Sequence, residues 1–308
     1  MKYEYALQAV KGIKKVFDNA QGNKIKQYMP NGIIDIYDTT EVFEIFTSTE
    51  GMTGSKKLAN GETPPVLDMK DGYSVLIEEE RFGGGITLLE NEYRREMGDK
   101  STKVNNILMQ KRNKLLTDNT HLFLTGAFSM LNDGFSSSSS YLAPDGVELF
   151  GVHNWKAGGT FDNSSVLVFG EIAVDAVVQY GGEFTDPNGK PMPVDFDTII
   201  VKKGSPNAKL AKKLFAENIT PTKVADINIY EGTFKIIETP YITDRDNWFM
   251  RASMFGGGNS LKIGMGDYPT LREPIKLDNE AIRTNCTGFW KQGIVNMPMD
   301  QFGSTGKG

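Results

Sequence analysis

Catalytic side chains are scarce in this chain of 308 residues, which has one cysteine and two histidines. A lone Cys286 excludes an intramolecular disulfide, as suits a reducing compartment. Its neighbours Thr284, Asn285 and Thr287 provide no His or Lys to activate a thiolate, so it reads as a structural free thiol. His121 and His153 have no further His or Cys at metal-site spacing. No loop alternates Asp or Asn around a central glycine, as a calcium loop does. The triplets Gly83–Gly85 and Gly256–Gly258 lack the spacing of a phosphate-binding loop. A G-x-S-x-G nucleophile elbow is also missing. No catalytic residue, metal or cofactor is therefore assigned. Positive charge is short as well: the formal net charge is −5, where a nucleic-acid binder would carry a basic stripe. No apolar run approaches the ~18–20 residues of a membrane span. The start, Met1-Lys2-Tyr3-Glu4, has no signal-peptide core. The chain is expected to be made and used inside a cell, with no membrane partner.

What is present is enough apolar material for a real core, 39% hydrophobic and 10% aromatic. Residues 1–20 carry apolar side chains at helical spacing. The first 27 residues hold six lysines, Lys11, Lys14 and Lys15 among them, against Glu4 and Asp18. This segment reads as a basic arm, and a surface helix fits the same pattern. Residues 41–49, with Phe43 and Phe46, and residues 73–82 read as strands. The connection between them, with Lys56 and Lys57, is long and rich in turn residues. A two-stranded excursion of this kind cannot be stable alone, so a neighbouring subunit is its natural support. The run Glu78–Arg81 reads as a solvated face or as an inter-subunit contact, in which Glu78 and Glu80 would meet a basic patch such as Lys56 and Lys57 and Arg81 is a further contact candidate. Gly83, Gly84 and Gly85 sit where the excursion would rejoin the body and are hinge candidates.

Residues 99–131 predict a long helix, capped by Asp99 or Ser101, with a stripe of Val104, Ile107, Leu108, Leu115, Leu122 and Phe123. His121 in that helix is expected to be packed or half-buried. At 1.5 Å per residue, about 30 residues make a rod of ~45 Å. Next come a helix at about 170–181 with Ile172, Ala173, Ala176, Val177 and Tyr180 on one face and Gly181 past its end. A strand at 198–201, a helix opened by Ser205-Pro206, and a strand at 233–237 follow. This mixture predicts a compact α+β domain. Strands return at 261–263 and 281–295, and residues 297–308 are expected to be disordered.

The order of elements resembles the major capsid proteins of tailed phages, the Hong Kong 97-type fold. Three stretches are most similar to the major head proteins of Mu-like phages: Asp145–Asn154, Asp186–Val201 and Thr239–Trp248, together with the helix Asn207–Phe215. The resemblance implies an N-terminal arm (1–35), an extended loop (36–90), a peripheral domain with a spine helix (91–134), an axial domain (135–258), and peripheral return strands with a tail (259–308). It implies self-assembly into hexamers and pentamers of an icosahedral head, assembled in the host cytoplasm and enclosing double-stranded DNA without sequence-specific binding. The short arm implies a separate scaffolding protein, with a portal and a decoration protein as further partners. Some relatives cross-link through a loop lysine; Lys56 and Lys57 sit in that loop, but no partner Asn is marked here. Two rival readings stay open: an encapsulin-like nanocompartment shell and a cytoplasmic enzyme of unidentified chemistry.

Overall fold

The computed structural model describes residues 32–52, 57, 58, 60, 62–66, 69–89, 102–215, 232–253, 258–277, 279 and 281–307. The arm lysines Lys11, Lys14 and Lys15, the loop lysine Lys56, and the cap candidates Asp99 and Ser101 lie outside these residues.

The chain opens with four strands, β1 (Asp35–Asp38), β2 (Phe43–Met52), β3 (Met69–Glu78) and β4 (Glu80–Leu88), then the long helix α1 (Thr102–Asn132). Next come β5 (Val152–Asn154), β6 (Thr160–Asp162), β7 (Ser164–Ser165), α2 (Glu171–Glu183), β8 (Thr198–Lys202), α3 (Pro206–Phe215), β9 (Lys235–Thr239) and β10 (Trp248–Arg251). The last strands are β11 (Leu261–Leu271), β12 (Ile275–Lys276), β13 (Ile282–Ile294) and β14 (Gln301–Ser304). No described helix is long and apolar enough to cross a membrane.

Two five-stranded sheets organise these elements. In the first, β11 lies between β1 and β13, and β13 also pairs with β4 and β12. The second runs β7-β14-β10-β8-β9, and β2 and β3 pair only with each other.

Helix α1 lies against the first sheet. Phe123, Leu124, Ala127, Phe128 and Leu131 recur at three- and four-residue spacing and share one core with Ile263, Trp290 and Ile294. Trp290 is sandwiched: Phe82 stacks on it at 3.7 Å between ring centroids, and Phe123 meets it edge-on at 5.2 Å. Upstream on α1, Leu115 and Leu116 pack on Leu271 and Cys286. The Cys286 thiol accepts a hydrogen bond from the Asn119 amide at 3.3 Å and is buried. Leu122 is not in the stripe. It is exposed, because it lies one position, about 100°, off the line through Phe123 and Leu124. His121, expected to be packed, is also exposed; its ring centroid stands 5.6 Å from that of Tyr241.

The second sheet is covered on both faces. Ile200, Ile237 and Phe249 face the core shared with α1, while Ile199, Val201, Trp248, Met250 and Phe302 face α2 and α3. Burial on both faces is why Thr198–Val201 reads as a continuous apolar run rather than an alternating one. Helix α3 starts as its sequence predicts: the Ser205 hydroxyl accepts the Ala208 amide hydrogen at 3.1 Å, with Pro206 at the first helical position.

Six expectations are corrected here. The segment 297–308 is not disordered. It supplies β14, paired antiparallel with β10 and parallel with β7, with every strand residue buried. The tail thus belongs to the second sheet and not with the peripheral return strands. Its Met297, Met299 and Phe302 find cover only among residues far away in sequence. In α2 the buried face is Ala173, Val174, Val177 and Gly181, whereas Ile172 is 86% exposed and Tyr180 is exposed too. Gly181 lies inside the helix, where a Cβ would collide with the Val194 carbonyl. The run 73–82 is broken at Glu79 into strands of two different sheets, and the strand expected at 233–237 runs from Lys235 to Thr239.

Phe302→Ala is expected to cost about 3–5 kcal/mol of stability, as for a large aromatic removed from a packed core. Denaturant unfolding reads this as a lower midpoint at similar slope; an unchanged midpoint would contradict the placement of the tail.

Candidate inter-subunit surface

Strands β2 and β3 form an antiparallel hairpin that pairs with no other strand. Strand geometry sends alternate residues to opposite faces. The even positions of β2 face the body, and the odd positions face away with their partners on β3.

Toward the body, Ile77 is buried over Gly293, where a Cβ would lie 2.6 Å from its methyl. Phe46 meets the Tyr37 ring edge-on at 6.4 Å, and the Lys262 ammonium lies 5.0 Å from its centroid. The main fastening is ionic. Lys291 on β13 is fully buried, and its ammonium donates to Glu44 Oε1 at 2.8 Å and to the Glu41 carbonyl at 2.6 Å. Glu44 also accepts hydrogen bonds from the Tyr37 hydroxyl at 2.7 Å and from Thr39. Burial pushes the Glu44 carboxyl up, but the bonds from Lys291, Thr39 and Tyr37 and the lysine's charge outweigh it, and the net shift is downward. The Tyr37 hydroxyl is pushed up by burial and by its bond to that carboxylate.

Facing away, Phe43 is 61% exposed, Ile45 64% and Leu76 52%. Ile45 and Leu76 are direct cross-strand partners, Phe43 pairs with Glu78, and the Thr47 and Ser74 hydroxyls meet at 3.1 Å. The outer face is therefore an uncovered apolar surface on a firmly held hairpin, the kind of patch that marks an interaction site.

The residues singled out from sequence fall in different places. Phe43 is on the outer face and Phe46 on the inner. Glu78, Glu80, Arg81 and Lys57 are exposed, and Arg81 lies 5.9 Å from the Phe289 ring centroid. Gly83, Gly84 and Gly85 are paired in β4 with Thr287, Cys286 and Asn285. A Cβ at Gly83 would press on the Cys286 carbonyl at 2.5 Å, so glycine there allows close approach of two strands. The chain changes sheet at Glu79, four residues before Gly83. The Glu79 carboxylate occupies the space a side chain at Gly266 would need.

Three features were missed from sequence. Lys291, inside the run Phe289-Trp290-Lys291, carried a signal: a lysine in an apolar strand needs a buried partner. Asp145 and His153, eight residues apart, meet in a buried contact at 3.1 Å, while the other ring nitrogen faces the Leu149 carbonyl at 3.2 Å. Burial pushes the Asp145 carboxyl up, yet its bonds with His153, Asn154 and Val147 hold it below the usual carboxylate value overall. Glu50, 1% exposed near the far end of the hairpin, gave no sequence signal. Among the described residues no three His, Cys, Asp or Glu side chains gather as a metal site.

No family model matches the chain, and no curated protein matches its sequence. Its structure is similar to the capsid of Myoviridae phage XM1, with a TM-score of 0.53, 10% identity and 89% of each chain covered. It is similar to the cyanophage Pam1 capsid at 0.52, with 13% identity and 92% of each chain covered. It is similar to the capsid of cyanophage P-SCSP1u at 0.51, with 8% identity and coverage of 88% of this chain and 85% of that one. The fold is the α+β, Hong Kong 97-like capsid fold.

Glu44→Ala leaves a buried ammonium uncompensated and is expected to cost about 3–5 kcal/mol, more than Lys291→Met, which removes the charge itself. Equal losses in a denaturant series would argue against the buried pair. Because the Glu44 and Asp145 carboxyls are lower in the folded chain than their ordinary 4.5 and 3.8, their contribution is fully present above those values. It is lost as pH falls through the lowered folded values. Glu44→Gln is expected to flatten the acid limb of stability against pH; a limb as steep as that of the unaltered chain would count against this assignment.

Proposed function

We propose that the chain is the major capsid protein of a tailed double-stranded DNA phage, nearest in its motifs to the head proteins of Mu-like phages. Copies associate through the second-sheet unit into hexamers and pentamers, and the β2–β3 excursion of one copy lies across its neighbour. The observation that carries this reading is a hairpin clamped to the body on one face and bare and apolar on the other, within a capsid fold. Isolated subunits have no use for such a face, whereas in a shell each copy covers its neighbour's.

The arm (1–35), with Lys11, Lys14 and Lys15, reaches a neighbour or the DNA. The extended loop (36–90) offers Lys56 and Lys57 to acidic partners such as Glu78 and Glu80. The spine (91–134) and the unit spanning 135–258 complete the subunit, with the tail joined to that second unit. Many individually modest contacts add up, because each one formed raises the effective concentration for the next. The net charge of −5 suits a wall that holds DNA without gripping it. A separate scaffolding protein, a portal and a decoration protein complete the head in the host cytoplasm, and the chain ends in the virion.

Electron microscopy of the purified chain is expected to show rings and closed shells. Phe43→Asp, at an exposed position, is expected to keep the unfolding midpoint and abolish the shells. A single small species under all conditions would overturn the proposal. Shells purified from the natural host are expected to contain double-stranded DNA; enzyme cargo in its place would make them a nanocompartment.

A further inference from the structure

The far half of the excursion touches a part of the molecule that the shell reading leaves unexplained. The turn between β5 and β6 holds both hairpin strands, each at one point. The Ala157 amide donates to Glu50 Oε2 on β2 at 2.9 Å, and the Lys156 ammonium donates to the Gly72 carbonyl on β3 at 2.9 Å. Tyr73 packs against the core of the second sheet. We propose that in the unassembled subunit the excursion is latched onto the second unit of its own chain, and that this latch opens before the excursion lies across a neighbour. The opening step rests on the shell reading; the latch itself does not.

The two ends of the hairpin are held very differently. At the base, Lys291 and Glu44 form a fully partnered cluster. At the latch, Glu50 is buried, yet its Oε1 has no hydrogen-bond partner among the described residues. A buried carboxylate oxygen without a partner favours release, because opening returns it to water. Glycine at residue 72 leaves room for two β2 side chains: a Cβ there would collide with Ser48 Oγ and lie 2.9 Å from Glu50 Cγ and 3.0 Å from Glu50 Oε1. Strand pairing is irregular at this point, with register shifts between Thr47 and Thr49 and between Glu50 and Met52. The base is regular from Phe43 to Thr47.

The receiving turn is rigid. Trp155 and Gly158 close it with backbone bonds of 3.0 Å, and Gly158 and Gly159 adopt positive φ. Below it, the Asp145–His153 pair and Phe161 fix β5 and β6 to the body. The Tyr73 hydroxyl is pushed up by burial and by the carboxylates of Asp145 and Glu50, consistent with its seat between hairpin and turn. The geometry is that of a strap anchored firmly at one end and closed weakly at the other.

Amide hydrogen exchange on the full-length, unassembled subunit tests the latch. Gly72→Ala crowds both Ser48 and Glu50 on the facing strand, and Lys156→Ala removes the second grip. Both are expected to raise exchange at residues 69–75 and 47–50 about tenfold or more while Ile77 and Glu79 at the base stay protected. In shell assembly followed by light scattering, both variants are expected to shorten the lag. Unchanged exchange in both variants would overturn the latch. Faster exchange with slower assembly would also overturn the proposal, since the contact would then be one the shell keeps. If the unaltered chain forms no shells, the shell reading falls, and the exchange result still decides the latch.

Discussion

Lys291 carries an ammonium into a place with no access to water, and a charge there must be met by an opposite charge and by acceptors for its protons. Among the described residues both come from the hairpin side. Glu44 and the Glu41 carbonyl come from the start of the excursion, so the strand that anchors the first sheet is satisfied only when the hairpin is in place. The same strand, β13, pairs with β4 and β11, stacks Trp290 between Phe82 and Phe123, and buries Cys286 under α1. One lysine thus ties the aim of the outer apolar face to the integrity of the core.

How much of this was legible in the sequence depended on how local the cause was. The Thr198–Val201 run, the Ser205-Pro206 helix start and the long helix could be read, because cap chemistry and periodicity act over a few residues. The tail could not. Glycine, proline and its short length look like disorder until β10 and β7 stand on either side of it. For α2 the spacing gave a helix but not which of two candidate faces met the sheet. The parity of Phe43 and Phe46 was readable in principle, since three positions apart on a strand means opposite faces. Which face turns outward depends on Tyr37 and Lys262, and no local pattern contains them. Pairs such as Lys291 with Glu44 or Asp145 with His153 are made by the fold and leave only faint marks in the chain.

The similarity to phage capsids at 8–13% identity has the same explanation. What is held in common is the fold, and many sequences can fill one fold's core positions at native density.

A single residue, Glu79, separates the last residue of β3 from the first of β4. That leaves almost no slack between the excursion and the wall of the subunit. Ten residues of β3 at about 3.3 Å each make a lever arm of ~33 Å. A push at its tip cannot be absorbed in a loop and must turn β4, and with β4 the Phe82–Trp290 stack against α1. The excursion is geared to the body like a crank to its shaft, so a load applied at its tip is carried mechanically into the long helix.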